Sequence, residues 1–174
     1  MDYDCSLITN GSYPQKCTSN AGLAKFKFQT GKVHKLRLIN TGSAVTQKFT
    51  IDGYTMTVVA VDFVPVKPYD TKVVTLGIGQ RTDVLVTANG KPTDAVWMRA
   101  DMDIGCYPGA EQPHALAAIY YPKADQNARP KTTATAWDSN GCLNVSNRKP
   151  FVLYWLLMRL LNRIPLLSLS PWLQ

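Results

Sequence analysis

Lys35-Leu36-Arg37-Leu38-Ile39, running into Asn40-Thr41-Gly42, decides the fold class. Basic and apolar residues alternate with a period of two, so one row of side chains faces a core and the other faces water, as on a half-buried strand. The Asn and Gly that follow are turn formers. The pattern continues in both directions. Lys25-Phe26-Lys27-Phe28 is expected to alternate in the same way upstream, and downstream come short apolar runs at Lys48–Ile51, Thr55–Val61, Val73–Leu76, Asp83–Val86, Ala95–Met98 and Ala117–Tyr121. Turn chemistry separates them at Thr30-Gly31, Asp52-Gly53, Pro65 through Asp70, Gly77-Ile78-Gly79 and Asn89-Gly90-Lys91-Pro92. Asp52-Gly53 is the clearest tight-hairpin signal, because glycine tolerates the positive φ such turns require. Nothing between these runs looks like a capped helix. About eight short strands at this spacing predict an all-β, antiparallel Greek-key sandwich or barrel.

The 174 residues are 45% hydrophobic and 18% charged, enough for one domain with a real core and too few for two large ones. Lys and Arg number 19 and Asp and Glu 12, for a net charge of +7. Four of the cations, Arg148, Lys149, Arg159 and Arg163, lie beyond residue 144, where no acid occurs. Charge dispersed in this way does not make the clustered basic face that a nucleic-acid partner needs.

The four cysteines, Cys5, Cys17, Cys106 and Cys142, form no CxxC, and the only histidines, His34 and His114, lie far from a zinc pattern. Disulfides are the better reading. Asn10-Gly11-Ser12 and Asn144-Val145-Ser146 are glycosylation sequons and, with the even cysteine count, favour the secretory pathway. The opening residues have neither a basic nor an apolar signal region, so the chain itself is expected to lack a signal peptide and the true N-terminus to be missing.

From Phe151 the composition changes abruptly to an apolar stretch broken by Arg159, Asn162, Arg163 and Pro165. These interruptions argue against a membrane span. A surface helix fits better, and a read-through or frame-shifted end outside the native fold fits best.

Motifs for chemistry are sparse. There is no nucleophile elbow, phosphate loop or zinc-protease helix. Gly77-Ile78-Gly79 reads as turn glycines, since the strand-like Asp83–Val86 follows where a dinucleotide fingerprint requires a helix. Eleven Asp and a single Glu, Glu111, leave no evident acid-base pair. Asp101 and Asp103 would repel each other if buried and read as solvated loop residues. Two isolated histidines cannot assemble a copper centre, which needs several imidazoles on one ion.

Gly31 to Gly42 resembles the middle domain of multicopper oxidases, particularly ascomycete laccase-like enzymes. Ile51 to Val66 resembles that family's long central hairpin, and Val74 to Val84, with Gly77-Ile78-Gly79-Gln80-Arg81-Thr82-Asp83-Val84, is similar to its "GQRxDV" segment. Val96–Ala100 and Gln112–Tyr121 continue in register. The resemblance runs from about Asp2 to Leu143, which implies a middle cupredoxin-like domain over 1–144 and a divergent tail over 145–174.

That resemblance implies a cupredoxin-like Greek-key β-sandwich. It further implies a secreted parent that oxidises phenols one electron at a time and reduces dioxygen to water with copper. The family's ligands come from its first and third domains, as His-x-His pairs and a His-Cys-His strand that do not occur here. This chain is therefore expected to bind no copper and to be inactive alone. Its partners would be those two domains, with phenol and dioxygen as small molecules of the parent. The resemblance also implies a Cys106–Cys142 disulfide, leaving Cys5 and Cys17 as the remaining pair. It places Gly42, Ser43, Ala44, Ile104 and Gly105 in the substrate-pocket wall. Ala44 falls where laccases often carry a carboxylate that takes the phenolic proton, and a methyl group cannot do so. The departure mildly favours a phenol-coupling oxidase of secondary metabolism as parent. His114 matches a position that is not a copper ligand. The rival of another class is a non-catalytic secreted β-sandwich that binds a partner through its apolar tail.

Overall fold

The computed structural model describes residues 22–105 and 113–139. Nine strands run in chain order: β1 Ala24–Lys27, β2 Val33–Ile39, β3 Gln47–Ile51, β4 Met56–Val61, β5 Val64–Thr71, β6 Val74–Leu76, β7 Arg81–Thr87, β8 Ala95–Met102 and β9 His114–Tyr120. They form a five-stranded sheet, β1-β9-β8-β3-β6, and a four-stranded sheet, β2-β7-β4-β5. The described residues contain no helix, and the all-β sandwich expected from the strand pattern is the one observed.

On β2 the period-two reading holds residue by residue: Leu36 and Leu38 pack against the core while Lys35, Arg37 and Ile39 face outward. The core lies between the sheets, where Phe49 and Ile51 of β3 and Val96 and Met98 of β8 meet Met56 and Val58 of β4 and Val84 and Val86 of β7. Each such side chain contributes about 1.5–3 kcal/mol by leaving water.

Four expectations change. Pro65 through Asp70, expected as a turn, lies in strand β5. Proline is tolerated there because β5 is an edge strand that pairs with β4 alone. Asp52-Gly53 is a tight turn, closed by the Tyr54 N–H on the Ile51 carbonyl with Gly53 at φ 77°, but it is not a hairpin. It carries the chain from β3 in one sheet to β4 in the other. The two-residue hairpin is Asp62-Phe63, joining Val61 of β4 to its partner Val64 of β5, with φ 47° and 67°. That is the sign pattern of a type I′ turn built without glycine. Lastly, β1 pairs with β9 in parallel, so the sandwich is not wholly antiparallel, and β1 is exposed throughout rather than half-buried.

The outer face of the five-stranded sheet is also covered. After β9 the chain makes two tight turns over 122–128 and returns as a strap, so that residues 122–139 bring Thr132, Trp137 and Ser139 to Trp97, Asp101 and Asp103 in turn. Its first part closes a small second cluster of Trp97, Ala118 and Tyr120 with Leu23, Leu116 and Ala124. Tyr120 donates its hydroxyl to the Ala128 carbonyl at 2.9 Å.

Candidate functional site

One end of the sandwich gathers the loops. β2, β4 and β8 finish there and β3, β5, β7 and β9 begin there, so the loop 40–46, the Asp62-Phe63 turn, the turn 77–80 and the turn 103–105 share a rim. Asn40 organises one side. Its buried side-chain amide donates to the carbonyls of Val45 at 2.9 Å and Leu76 at 3.0 Å, and its Oδ1 accepts the Gly42 N–H at 3.0 Å. Its backbone exchanges hydrogen bonds with Gln80 and Gly79. Gly42, Ser43 and Ala44 therefore stand exposed on a loop whose two ends are fixed. Ile104 and Gly105 are exposed on the neighbouring turn, joined to the same loop by the Asp103 N–H on the Thr46 carbonyl at 3.1 Å. The rim thus brings both groups of expected wall residues to one place. Ala44 presents a methyl group there, and no carboxylate replaces it on the exposed surface of the loop 40–46.

Apolar side chains cluster at the same end: Ile39, Phe63, Val64, Ile78 and Ile104 are all about half exposed or more. Arg81 lies over the Phe63 ring at 4.4 Å, and its N–H donates to Asp62 Oδ1 at 2.9 Å.

Beneath the strap lies a polar layer that the sequence did not disclose. Arg99 grips Asp52 through two bonds of 2.8 Å, and the Thr132 hydroxyl of the strap adds a third at 2.7 Å. One strand position further, Asp101 meets His114 Nδ1 at 2.8 Å and accepts from the Trp137 indole N–H at 3.4 Å. At the rim, Asp103 Oδ1 accepts from the Ser139 hydroxyl at 2.5 Å and the Gly105 N–H at 3.2 Å. Its Oδ2 lies 3.6 Å from the Lys48 ammonium, at ion-pair distance but without a hydrogen bond. Asp101 and Asp103 are buried, which overturns their reading as solvated loop residues. Mutual repulsion is avoided because each carboxylate has its own donors, as a buried charge requires. Along β3 and β8 the core residues Phe49, Ile51, Val96 and Met98 alternate with Lys48 and Arg99, whose face, with Asp52 and Asp101, the strap covers.

On the outer face of the other sheet, Asp83 is held by Arg37 at 2.9 and 3.1 Å and by Lys35 at 2.8 Å. Hydrogen bonding to Arg37, then to Lys35, keeps its carboxyl at about 2 against the opposing effect of desolvation. In the interior, Tyr54 and Tyr121 share a hydroxyl contact of 2.6 Å, and burial first, then that contact, raises the Tyr54 phenol well above its ordinary value.

Among the described residues the donor set does not fit copper. His34 is on β2 and His114 on β9, in different sheets. His34 Nε2 accepts the Gln29 N–H at 3.2 Å while its ring stacks on Phe28 at 4.2 Å, and His114 Nδ1 is engaged by Asp101. Among the described residues no three His, Cys, Asp or Glu side chains converge as a metal ion would require. Cys5, Cys17, Cys106 and Cys142, and the sequon residues Asn10 and Asn144, lie outside the described residues.

Comparison with known proteins gives consistent matches. The profile of the family described as multicopper oxidase matches residues 4–124. Oxidoreductase OpS5 of Beauveria bassiana is 38% identical over 122 residues, which cover 70% of this chain and 20% of that protein. Laccase-2 of Botryotinia fuckeliana is 37% identical over 119 residues, covering 68% and 20%. The crystal structure of the laccase from Botrytis aclada superposes with a TM-score of 0.67 at 34% identity, over 79% of this chain and 24% of that one. The chain thus spans about a fifth to a quarter of the length of these relatives.

Proposed function

Since the chain belongs to the multicopper oxidase family, we propose that residues 1–144 are the middle cupredoxin-like domain of a secreted laccase-like oxidase, with 145–174 outside that fold. The whole protein takes electrons singly from phenols and passes them to dioxygen at copper held by its other two domains. This domain spaces those two, holds no copper itself, and offers Gly42, Ser43, Ala44, Ile104 and Gly105 as part of the wall against which the phenol lies.

The observation that carries the reading is the family match over 4–124 on a sandwich whose two histidines lie in different sheets and are already engaged. The shared rim of the loops 40–46 and 103–105 supports the wall. The contact of Ser139 with Asp103 and Gly105 supports the Cys106–Cys142 disulfide, because those cysteines follow Gly105 by one residue and Ser139 by three. Ala44 favours one variant of the reading, a parent that couples phenols and deprotonates them by a group other than a carboxylate on this loop.

Metal analysis and a phenol-oxidation assay on the purified 174-residue chain test the proposal. The expected result is no stoichiometric copper and no oxidation. Stoichiometric copper together with turnover of a phenol would contradict it.

A further inference from the structure

Both halves of the proposed wall are exposed, yet the residue between them is not. Asp103 has no solvent exposure, although Ile104 and Gly105 beside it are open. A carboxylate so enclosed holds its place only through its partners, and the contacts of its backbone and side chain together reach the loop 40–46, β3, its own turn and the strap. Its N–H reaches the Thr46 carbonyl at the end of the loop that carries Gly42, Ser43 and Ala44. Its Oδ1 takes the Gly105 N–H of its own turn and the Ser139 hydroxyl of the strap. Lys48, itself almost fully buried, stands behind Oδ2 at 3.6 Å and donates to the Thr75 hydroxyl at 3.3 Å. Gly105 completes the arrangement: a Cβ built there would overlap the Ser139 hydroxyl oxygen and crowd Asp103 Oδ1, so a larger residue forces that hydroxyl off the carboxylate.

We propose that Asp103 is a positioning residue that locks the loop 42–46, the turn 104–105 and the strap into one rigid wall, and so determines which phenols fit. The proposal rests on the reading of those loops as pocket wall. Asp103 touches no substrate and acts through the exposed residues on either side. A hydroxyl lost from the strap, at Ser139, 34 residues along the chain from Gly105, therefore loosens the wall as surely as a change within it.

Two measurements test it. In the 174-residue chain, amide exchange followed by NMR reads the Asp103 and Gly105 N–H groups directly. Ser139→Ala and Gly105→Ala are expected to speed both by about tenfold, leaving β4 and β7 unchanged. Unchanged exchange in both variants overturns the proposal. In the whole oxidase, Ser139→Ala and Asp103→Ala are expected to raise KM for phenolic substrates by about tenfold while kcat and KM for dioxygen stay the same. Asp103→Asn, which keeps an oxygen acceptor at Oδ1 but removes the charge facing Lys48, is expected to recover part of the loss. A loosened wall with KM unchanged for every phenol also overturns the proposal. An unsubstituted whole protein that contains copper but oxidises no phenol would refute the laccase-like reading instead, and the exchange result would still decide the role of Asp103.

Discussion

Arg99 and Asp52 illustrate what a single pair does in this sandwich. Two parallel N–H···O bonds of 2.8 Å join a guanidinium to a carboxylate with no exposure, and Thr132 adds the strap to the same carboxylate. Removing the cation strands a buried charge, so Arg99→Ala is expected to cost about 3 kcal/mol. Urea unfolding checks this, and a loss under about 1 kcal/mol would show that the pair behaves as a surface ion pair. Arg99→Lys rescues little, because an ammonium cannot reproduce the two-pronged grip. Asp83 gives a pH dependence. Its folded pKa, about 2, lies below the unfolded value, so its stabilisation is complete above the ordinary carboxylate range and fades as pH falls toward 2. Unfolding midpoints measured between neutral pH and pH 2 should therefore fall less steeply in Asp83→Asn than in the parent chain. Equal slopes would mean that Arg37 and Lys35 do not hold this carboxyl. None of these pairs was legible in the sequence, since partners such as Arg99 and Asp52 are 47 residues apart.

Strands were far more legible than their connections. β2, β3, β4, β7, β8 and β9 all fall on runs whose period-two or apolar pattern is local, and such a pattern survives whatever the strand pairs with. β5 did not, because Pro65 and Pro68 signal a turn locally and are harmless only on an edge, which is a property of the sheet. The Asp52-Gly53 turn misled for the same reason: its chemistry fixes a reversal, not the sheet in which the next strand lands. The true hairpin at Asp62-Phe63 carries no glycine. Its positive φ angles are held from outside, by hydrogen bonds in both directions between Asp62 and Arg81 and by the Arg81 guanidinium on Phe63. Asp62→Ala keeps the strained angle and loses the acceptor, so it is expected to destabilise by about 1–2 kcal/mol. Thermal unfolding measures this, and an unchanged midpoint would mean that the turn is held by strand pairing alone.

At the scale of the molecule, the sandwich has two interiors. The apolar one lies between the sheets and was foreseeable from alternation. The polar one lies between the five-stranded sheet and the strap, and it could not be foreseen, because residues 122–139 carry neither periodicity nor a strand. The residues proposed for the wall were reached through family resemblance, whereas Asn40 and Asp103, which hydrogen-bond the loops that carry them, have no local signal beyond being polar at a strand end. The strap should behave as a unit: Trp137→Ala removes its contacts with Asp101 and Lys48 and is expected to speed proteolysis within 131–139 while the strands stay protected. Protease sensitivity equal to that of the parent would show that the strap is held by Thr132 and Ser139 without the indole.

The proposed role of this sandwich is that of the middle, copper-free domain of a copper oxidase. Sequencing the transcript through both ends of the reading frame tests it most directly. The account predicts codons for His-x-His pairs upstream of Met1 and for a His-Cys-His segment downstream of Asn144. A transcript that encodes residues 1–174 and neither motif would contradict it.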